Sequence, residues 1–232
     1  MLTNAKIIAI SGLKNSGKDT AADMLQYLLN SPKFMQNYWC FKHLRFLKRH
    51  GNIYKIKSFA YPLKKMLSAL LGVPMCKFND REFKEHYYIS FPELKIYKER
   101  YVPKTKILSD NKFSKMAKNL DPTITDYFLS IRQLMQFFGT NVMRTYFGDG
   151  LWTYATLNFG NTIISDLRFQ IEMKIVKQNK GKVIYIQRDC CVPGQHASEQ
   201  EVIEMKEKGR YDYIVDNNGT LKDLFYKLKE LL

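Results

Sequence analysis

The stretch Gly12-Leu13-Lys14-Asn15-Ser16-Gly17-Lys18-Asp19-Thr20 carries the clearest chemical instruction in the chain. An apolar run, Ile7-Ile8-Ala9-Ile10, precedes it, and a helical pattern, Ala21-Ala22-Asp23-Met24-Leu25, follows. Strand, glycine-bounded loop and helix form the setting of a phosphate-binding loop. Glycines at both ends let the backbone curl so that successive N–H groups point inward at an anion. The new helix adds its positive N-terminal end, and Lys18 a full charge for β- and γ-phosphates. The usual pattern places Ser or Thr directly after the lysine as a magnesium partner; here Asp19 intervenes and Thr20 comes second. A glycine-rich turn that merely caps a helix is the alternative. The loop predicts binding of a nucleoside triphosphate.

Phosphoryl transfer asks a protein to position two anions and neutralise their charge, so cations and a magnesium-organising carboxylate are the residues to seek. Thr162-Ile163-Ile164-Ser165 reads as a buried strand leading to Asp166, Leu167 and Arg168. A carboxylate leaving a central strand can hold magnesium through water, and Arg168 can face the transferred phosphate. Capping the next helix or pairing with Arg168 is the competing role for Asp166. Farther upstream, Arg132, Gln136, Thr140 and Arg144 recur at i, i+4 along a helical pattern that Ser130 caps. Two arginines and a glutamine on one stripe suit a phosphate and a base edge, because guanidinium grips phosphate in bidentate fashion. A solvated polar face has the same periodicity. Arg188 opens a loop running through Pro193-Gly194-Gln195-His196, which can act as an arginine-bearing lid or as an ordinary surface loop.

The elements that must hold these groups alternate. Strands are expected at about 6–11, 53–59, 162–165, 182–187 and 213–215, with helices at about 18–29, 62–71, 131–142, 149–158, 169–178 and 220–232. Ser198 and Glu201 form a capping-box pattern for one more helix. Leu63, Met66, Leu67, Leu70 and Leu71 share one face of the second helix, with Pro62 at its start and Gly72 just past its end. This order predicts an α/β fold whose parallel sheet is covered by helices on both faces, with ligands at the strands' carboxyl ends. Residues 31–51 read as an aromatic, basic connection and residues 80–126 as an irregular inserted lobe within one domain spanning 1–232, with a lid at 188–200.

Composition narrows the class. A chain of 232 residues with 45% hydrophobic content can build one core with inserted lobes. No stretch approaches the ~20 apolar residues of a membrane span, and the N-terminal apolar run is too short for a signal peptide. Cys40, Cys76, Cys190 and Cys191 match neither a zinc site nor a disulfide framework, so an intracellular, reducing compartment is expected. The net charge is +15, and no Asp or Glu occurs between Asp23 and Asp80. Such a field draws anionic partners, nucleotides or nucleic acid, although a generally lysine-rich composition would raise the surface charge in the same way.

Several motifs resemble those of the phage-type deoxynucleoside monophosphate kinases, a family also carried by some large DNA viruses. Gly17-Lys18-Asp19-Thr20-Ala21-Ala22-Asp23 resembles the family's phosphate loop and first helix, and Phe59-Ala60-Tyr61-Pro62-Leu63-Lys64 its substrate-side turn. Arg132-Gln133-Leu134-Met135-Gln136 with Gly139-Thr140 is the most distinctive match. Asp166-Leu167-Arg168 with Glu172, and Asp216-Asn217-Asn218-Gly219-Thr220-Leu221, follow in order. The resemblance leaves residues 31–52 and 80–126 uncovered.

It implies a P-loop kinase that moves the γ-phosphate of ATP, with Mg2+, to a deoxynucleoside monophosphate. Gly12, Lys14, Asn15, Ser16, Gly17, Lys18, Asp19, Thr20, Arg188 and Asn217 would then hold ATP, and Thr20 and Asp166 the metal. Lys57, Phe59, Lys64, Arg132, Gln136, Thr140, Arg144 and Trp152 would hold the acceptor. Lys18, Arg132, Asp166, Arg168 and Arg188 would act on the transferring group. A homodimer is compatible with this reading, and nucleic acid is a less favoured partner. The competing readings are a P-loop kinase for another small acceptor, phosphomevalonate or dephospho-coenzyme A, and a nucleic-acid-binding protein with a nucleotide switch.

Overall fold

A buried parallel strand must be apolar on both faces, and the Ile7–Ser11 segment is buried throughout. In a computed structural model it forms β1, the centre of a five-stranded parallel sheet. The structure describes residues 2, 5–44, 53–91, 93–102, 104, 107, 127–157, 160–191 and 197–232. Its elements in chain order are β1 (Ile7–Ser11), α1 (Lys18–Asn30), α2 (Tyr38–Leu44), β2 (Lys55–Lys57), α3 (Tyr61–Leu71), α4 (Arg81–His86), β3 (Tyr87–Phe91) and β4 (Ile96–Lys98). There follow β5 (Tyr127–Ser130), α5 (Ile131–Gln136), a π-helical turn (Phe137–Val142), α6 (Met143–Phe147), α7 (Leu151–Leu157) and β6 (Thr162–Leu167). The chain closes with α8 (Gln170–Gln178), β7 (Lys182–Gln187), α9 (Ala197–Glu207), β8 (Tyr213–Asp216) and α10 (Leu221–Lys229).

The chain divides into two compact units, Met1–Phe59 with Trp152–Leu232, and Ala60–Leu151. In the first, the strand order is β2-β6-β1-β7-β8, all parallel. Alternate residues Ile8, Ile10, Ile163, Ile184 and Ile186 meet Met24, Leu25 and Leu28 of α1 and Leu224, Phe225 and Leu228 of α10. On the opposite face, Val176 of α8 and Ile7 close around Gly181, where an added Cβ would stand 2.6 Å from Val176 Cγ1. Leu25 and Phe225 are wholly buried, so truncating either to Ala costs roughly 2–5 kcal/mol. The expected α/β fold, a parallel sheet covered on both faces, is what forms.

The connection after α1 is more ordered than its composition suggests. Tyr38 and Phe41, three residues apart on α2, turn their rings onto Phe225 with centroids 5.9 and 5.5 Å away, and Tyr27 meets Phe41 at 5.5 Å. Phe41 is therefore a core residue with Tyr38 packed against the core, whereas Phe34 and Trp39 of the same connection are exposed. The basic stretch at 45–52 lies outside the described residues.

Within the stretch expected to be an irregular lobe, residues 81–91 and 96–98 form regular structure. Asp80 caps α4 by accepting from Glu82 N at 2.9 Å. Strands β3, β4 and β5 form an antiparallel sheet in the order β4-β3-β5. Tyr88 pairs with Tyr97 and Ile89 with Ile96 in register, so Tyr87, Tyr88 and Tyr97 are strand residues. Residues 92, 103, 105–106 and 108–126 of the expected lobe lie outside the described residues. In α3, Leu63 and Leu67 are buried and Gly72 ends the helix in the left-handed region (φ 63°), whereas Leu70 is half exposed.

Other boundaries move for identifiable reasons. Ser198 sits inside α9 rather than before it, and Glu201 Oε2 accepts from Gln170 N at 2.9 Å, so the carboxylate caps α8 instead of its own helix. Ser130 does cap α5: its Oγ accepts from Gln133 N at 3.1 Å while Gln133 Oε1 accepts from Ser130 N at 2.8 Å. The helix expected through Val142 opens at Phe137 into the π-helical turn.

Candidate active site

Because the strands of the first unit are parallel, their carboxyl ends share one edge of the sheet. In spatial order that edge presents Lys57 at the end of β2 and Phe59 after it, Asp166 and Arg168 at β6, the loop from Gly12 after β1, Arg188 after β7, and Asn217 after β8. Residues widely separated in sequence are thus delivered side by side.

The loop from Gly12 to Thr20 is shaped for an anion. Asn15 (φ 64°) and Gly17 (φ 91°) both take left-handed backbone. A Cβ on Gly17 would come within 2.4 Å of Asn217 Nδ2, and one on Gly12 within 2.5 Å of Ser16 Oγ. Gly17 offers α1 no side-chain cap, so the first-turn amides are left for a ligand. Ser16 Oγ is buried without a hydrogen-bond partner among the described residues. Such a hydroxyl costs about 1–3 kcal/mol when unsatisfied, and a phosphate oxygen would satisfy it. These features fit a bound polyphosphate.

Lys18 is buried, and its Nζ donates to Leu13 O at 3.2 Å. Burial lowers its pKa below the ordinary lysine value, and the nearby Arg168 lowers it further, while Asp19, Glu199 and Asp166 oppose the shift. Lys18, Asp166 and Arg168, each expected from sequence to do chemistry, therefore lie in one electrostatic neighbourhood. Glu199 joins them from α9; no local pattern in the sequence marks it. Lys14, Asn15 and Asp19 are exposed and Thr20 is half-buried in the first turn of α1.

Asp166 lies within β6, which runs on to Leu167, rather than just after a strand ending at Ser165. Its Oδ1 accepts from Phe59 N at 2.9 Å, fixing the chain beyond β2. The capping role that competed for Asp166 belongs to Glu172, whose Oε2 accepts from Arg168 N at 2.9 Å and Phe169 N at 3.1 Å. Asn217 is buried and turned toward the loop: its Nδ2 donates to Ser16 O at 2.8 Å, and its backbone N–H to Gln187 O at 2.7 Å.

Behind the loop, Ser11 Oγ lies 3.0 Å from Tyr211 Oη, and that hydroxyl donates to Val202 O at 3.2 Å. Burial pushes the Tyr211 pKa up to about 12, so the hydroxyl keeps its proton at working pH. Arg188 is exposed, and residues 192–196 of the expected lid, His196 included, lie outside the described residues. Lys57 is half-buried, and Trp152 is buried in α7. Among the described residues no cluster of three or more His, Cys, Asp or Glu is placed to hold a metal.

In the second unit the distinctive motif divides its labour. Ile131 and Leu134 are buried and Gln133 completes the cap, while Arg132 and Gln136 are exposed. Beyond Gln136 the i, i+4 row is interrupted, because the π-helical turn changes the angular step before Thr140 and Arg144. Gly139 lets this turn approach α3, since a Cβ there would stand 2.9 Å from Leu63 Cδ2. Lys64 of α3 donates to Asn79 Oδ1 at 2.8 Å. Arg132 Nε donates to Glu85 Oε1 of α4 at 2.6 Å. Neither Glu85 nor its neighbour Lys84 was marked by the sequence.

The four cysteines are free. Among the described residues no helix is long and apolar enough to cross a membrane.

Comparison with known proteins agrees with this geometry. The deoxynucleotide monophosphate kinase from Enterobacteria phage T4 is 22% identical, covering 98% of this chain and 98% of its own. The enzyme of that name from Escherichia phage RB69 is 25% identical, covering 98% and 99%. The family model for deoxynucleotide monophosphate kinase matches residues 82–228. With well over half of the chain inside that match, and a phosphate loop at the carboxyl edge of a parallel sheet, this protein belongs to the deoxynucleotide monophosphate kinase family.

Proposed function

We propose that the protein transfers the γ-phosphate of ATP to a deoxynucleoside monophosphate, with the first unit holding the donor and the stripe from Arg132 holding the acceptor. The observation that carries this reading is the phosphate loop, with its unsatisfied Ser16 hydroxyl and buried Lys18, in a chain of this family. Neither of the other readings, another small-acceptor kinase or a nucleotide-switched nucleic-acid binder, has an observation of its own.

Amides of Ser16 to Thr20 and the Lys18 ammonium receive the β- and γ-phosphates, and Asn217 keeps the loop in the receiving shape. On ATP binding Lys18 exchanges the Leu13 carbonyl for phosphate oxygen. Arg168 and Arg188 supply further positive charge for the equatorial oxygens of the transferring group. Thr20 and Asp166 are the residues that would hold Mg2+. When bound, the ion neutralises charge on the β- and γ-oxygens. Arg132 anchors the acceptor's phosphate, and Gln136, one turn on, reads a base edge. Thr140 and Arg144 follow beyond the π-helical turn and make more distant contacts. Lys57, Phe59, Lys64 and Trp152 are the remaining residues assigned to the acceptor in this reading.

Two measurements test the halves of this site. Asp166→Asn is expected to lower turnover and shift the magnesium titration to higher concentration; an unchanged titration with normal turnover would return Asp166 to a structural role such as its bond to Phe59 N. Gln136→Ala is expected to reorder dCMP, dGMP, dTMP and dAMP by kcat/KM, by about tenfold for the affected base, while the KM for ATP stays constant. An equal shift on every acceptor would remove the base-reading role.

A further inference from the structure

A phosphate monoester carries close to two negative charges at neutral pH, more than one arginine neutralises. The structure places one further charged side chain, Glu85, in contact with Arg132, and a second, Lys84, at the adjoining position of the same helix. Glu85 Oε1 accepts from Arg132 Nε at 2.6 Å, and Lys84 precedes Glu85 on the same short helix, α4, which packs against α5. Sidewise pairing through Nε leaves the guanidinium's two terminal nitrogens, with four N–H donors, for another partner.

Lys84 is half-buried. Its pKa is lowered first by burial and then by the like charge of Arg132; Glu85 and Asp80 act the other way and Arg81 adds to the lowering. Glu85 and Asp80 face Arg132, Lys84 and Arg81, so this small cluster keeps a net positive charge. With Glu85 already paired to Arg132, partly burying Lys84 stays unfavourable until a further anion joins the cations. A phosphate would convert that cost into charge-assisted hydrogen bonds.

We infer that α4 completes the acceptor-phosphate site, Lys84 supplying a second cation beside Arg132 and Glu85 acting as the positioning residue that holds the guanidinium through Nε. The ligand class is the phosphate of a nucleoside monophosphate, and the inference rests on the reading that Arg132 anchors that phosphate. Glu85 also limits the net charge of the cluster, so the pair of cations does not repel α4 from α5.

The test is steady-state kinetics of the full-length protein at saturating ATP, with dNMP varied and the matching deoxynucleoside as a competitive inhibitor. Arg132→Ala, Lys84→Ala, Lys84→Arg, Glu85→Ala and Glu85→Gln are compared with wild type. Lys84→Ala is expected to raise the KM for dNMP about tenfold, the scale of one charge-assisted hydrogen bond, with the KM for ATP and the inhibition constant of the deoxynucleoside unchanged. Lys84→Arg restores most of the loss. Glu85→Ala lowers kcat/KM for dNMP by a similar factor, and Glu85→Gln, whose amide oxygen still accepts from Nε, recovers it.

Where Lys84→Ala melts early, Lys84→Met keeps the half-buried stem and gives the same comparison. An impaired Arg132→Ala beside wild-type Lys84 and Glu85 variants overturns this inference. So does a loss that falls equally on dNMP and deoxynucleoside. A wild-type Arg132→Ala instead overturns the underlying reading of the acceptor site.

Discussion

Lys18→Ala is expected to reduce kcat/KM by roughly 10³-fold or more while the protein melts no earlier than wild type. Removing a preorganised charge from a developing oxyanion costs about 3–4 kcal/mol of barrier. The fold should not suffer, because the Lys18 ammonium makes a hydrogen bond to the Leu13 carbonyl and its burial is unfavourable to the charge. The sign of that penalty can be followed with pH. Lys18 has a lower pKa folded than unfolded, so between the two values the unfolded chain binds more protons and stability rises with pH. The penalty is present in full below the folded pKa, and Lys18→Ala should lack the rise. Thermal melts of both proteins across the alkaline range, beside ADP-release rates, check both parts. Activity within about tenfold of wild type, or roughly 1.4 kcal/mol, would remove Lys18 from the chemistry.

Arg132→Ala is expected to cut kcat/KM by about 10²–10³-fold on every deoxynucleoside monophosphate, with ATP affinity retained. Anchoring a phosphate does not depend on the base, so the four acceptors should fall together, in contrast to Gln136→Ala. The ion pair with Glu85 is partly exposed on both sides, 44% and 35%. It contributes at most about 1 kcal/mol to stability, and the melting temperature should move little. Kinetics on all four acceptors alongside a melting curve separate the two effects. A loss confined to one base would reassign Arg132 to base reading.

The parts of the site that were legible in the sequence are those written locally. The loop from Gly12 to Thr20, the Ser130 cap and the left-handed stop at Gly72 each depend on neighbouring residues, and each forms where its signature stands. Asp166 was recognisable as a carboxylate near a strand end. Its place inside β6 was not, because the strand's last residues read as the start of a loop. The π-helical turn was hidden in the same way: Gly139 gives a helical pattern room for a break, but the close approach to Leu63 that uses it is a tertiary contact.

Long-range partners left still less trace. Glu85 reaches Arg132 across 47 positions, and Asn217 reaches Ser16 across 201. The tyrosines near β3 and β4 concealed an antiparallel pair because large, half-polar rings blur the alternation that marks a strand. The packed face of α2 was hidden for a related reason, since basic neighbours dominate the segment while Tyr38 and Phe41 share the face that meets Phe225.

The central claim is that this chain phosphorylates deoxynucleoside monophosphates, and a coupled ADP-release assay on the purified protein tests it directly. ATP and magnesium are held constant while dCMP, dGMP, dTMP, dAMP and their ribonucleotide counterparts are supplied one at a time, and the nucleotide products are separated by chromatography. The account predicts ADP release that requires a deoxynucleoside monophosphate and equals, mole for mole, the deoxynucleoside diphosphate formed. ADP release that is indifferent to every monophosphate, with no diphosphate product, would contradict it.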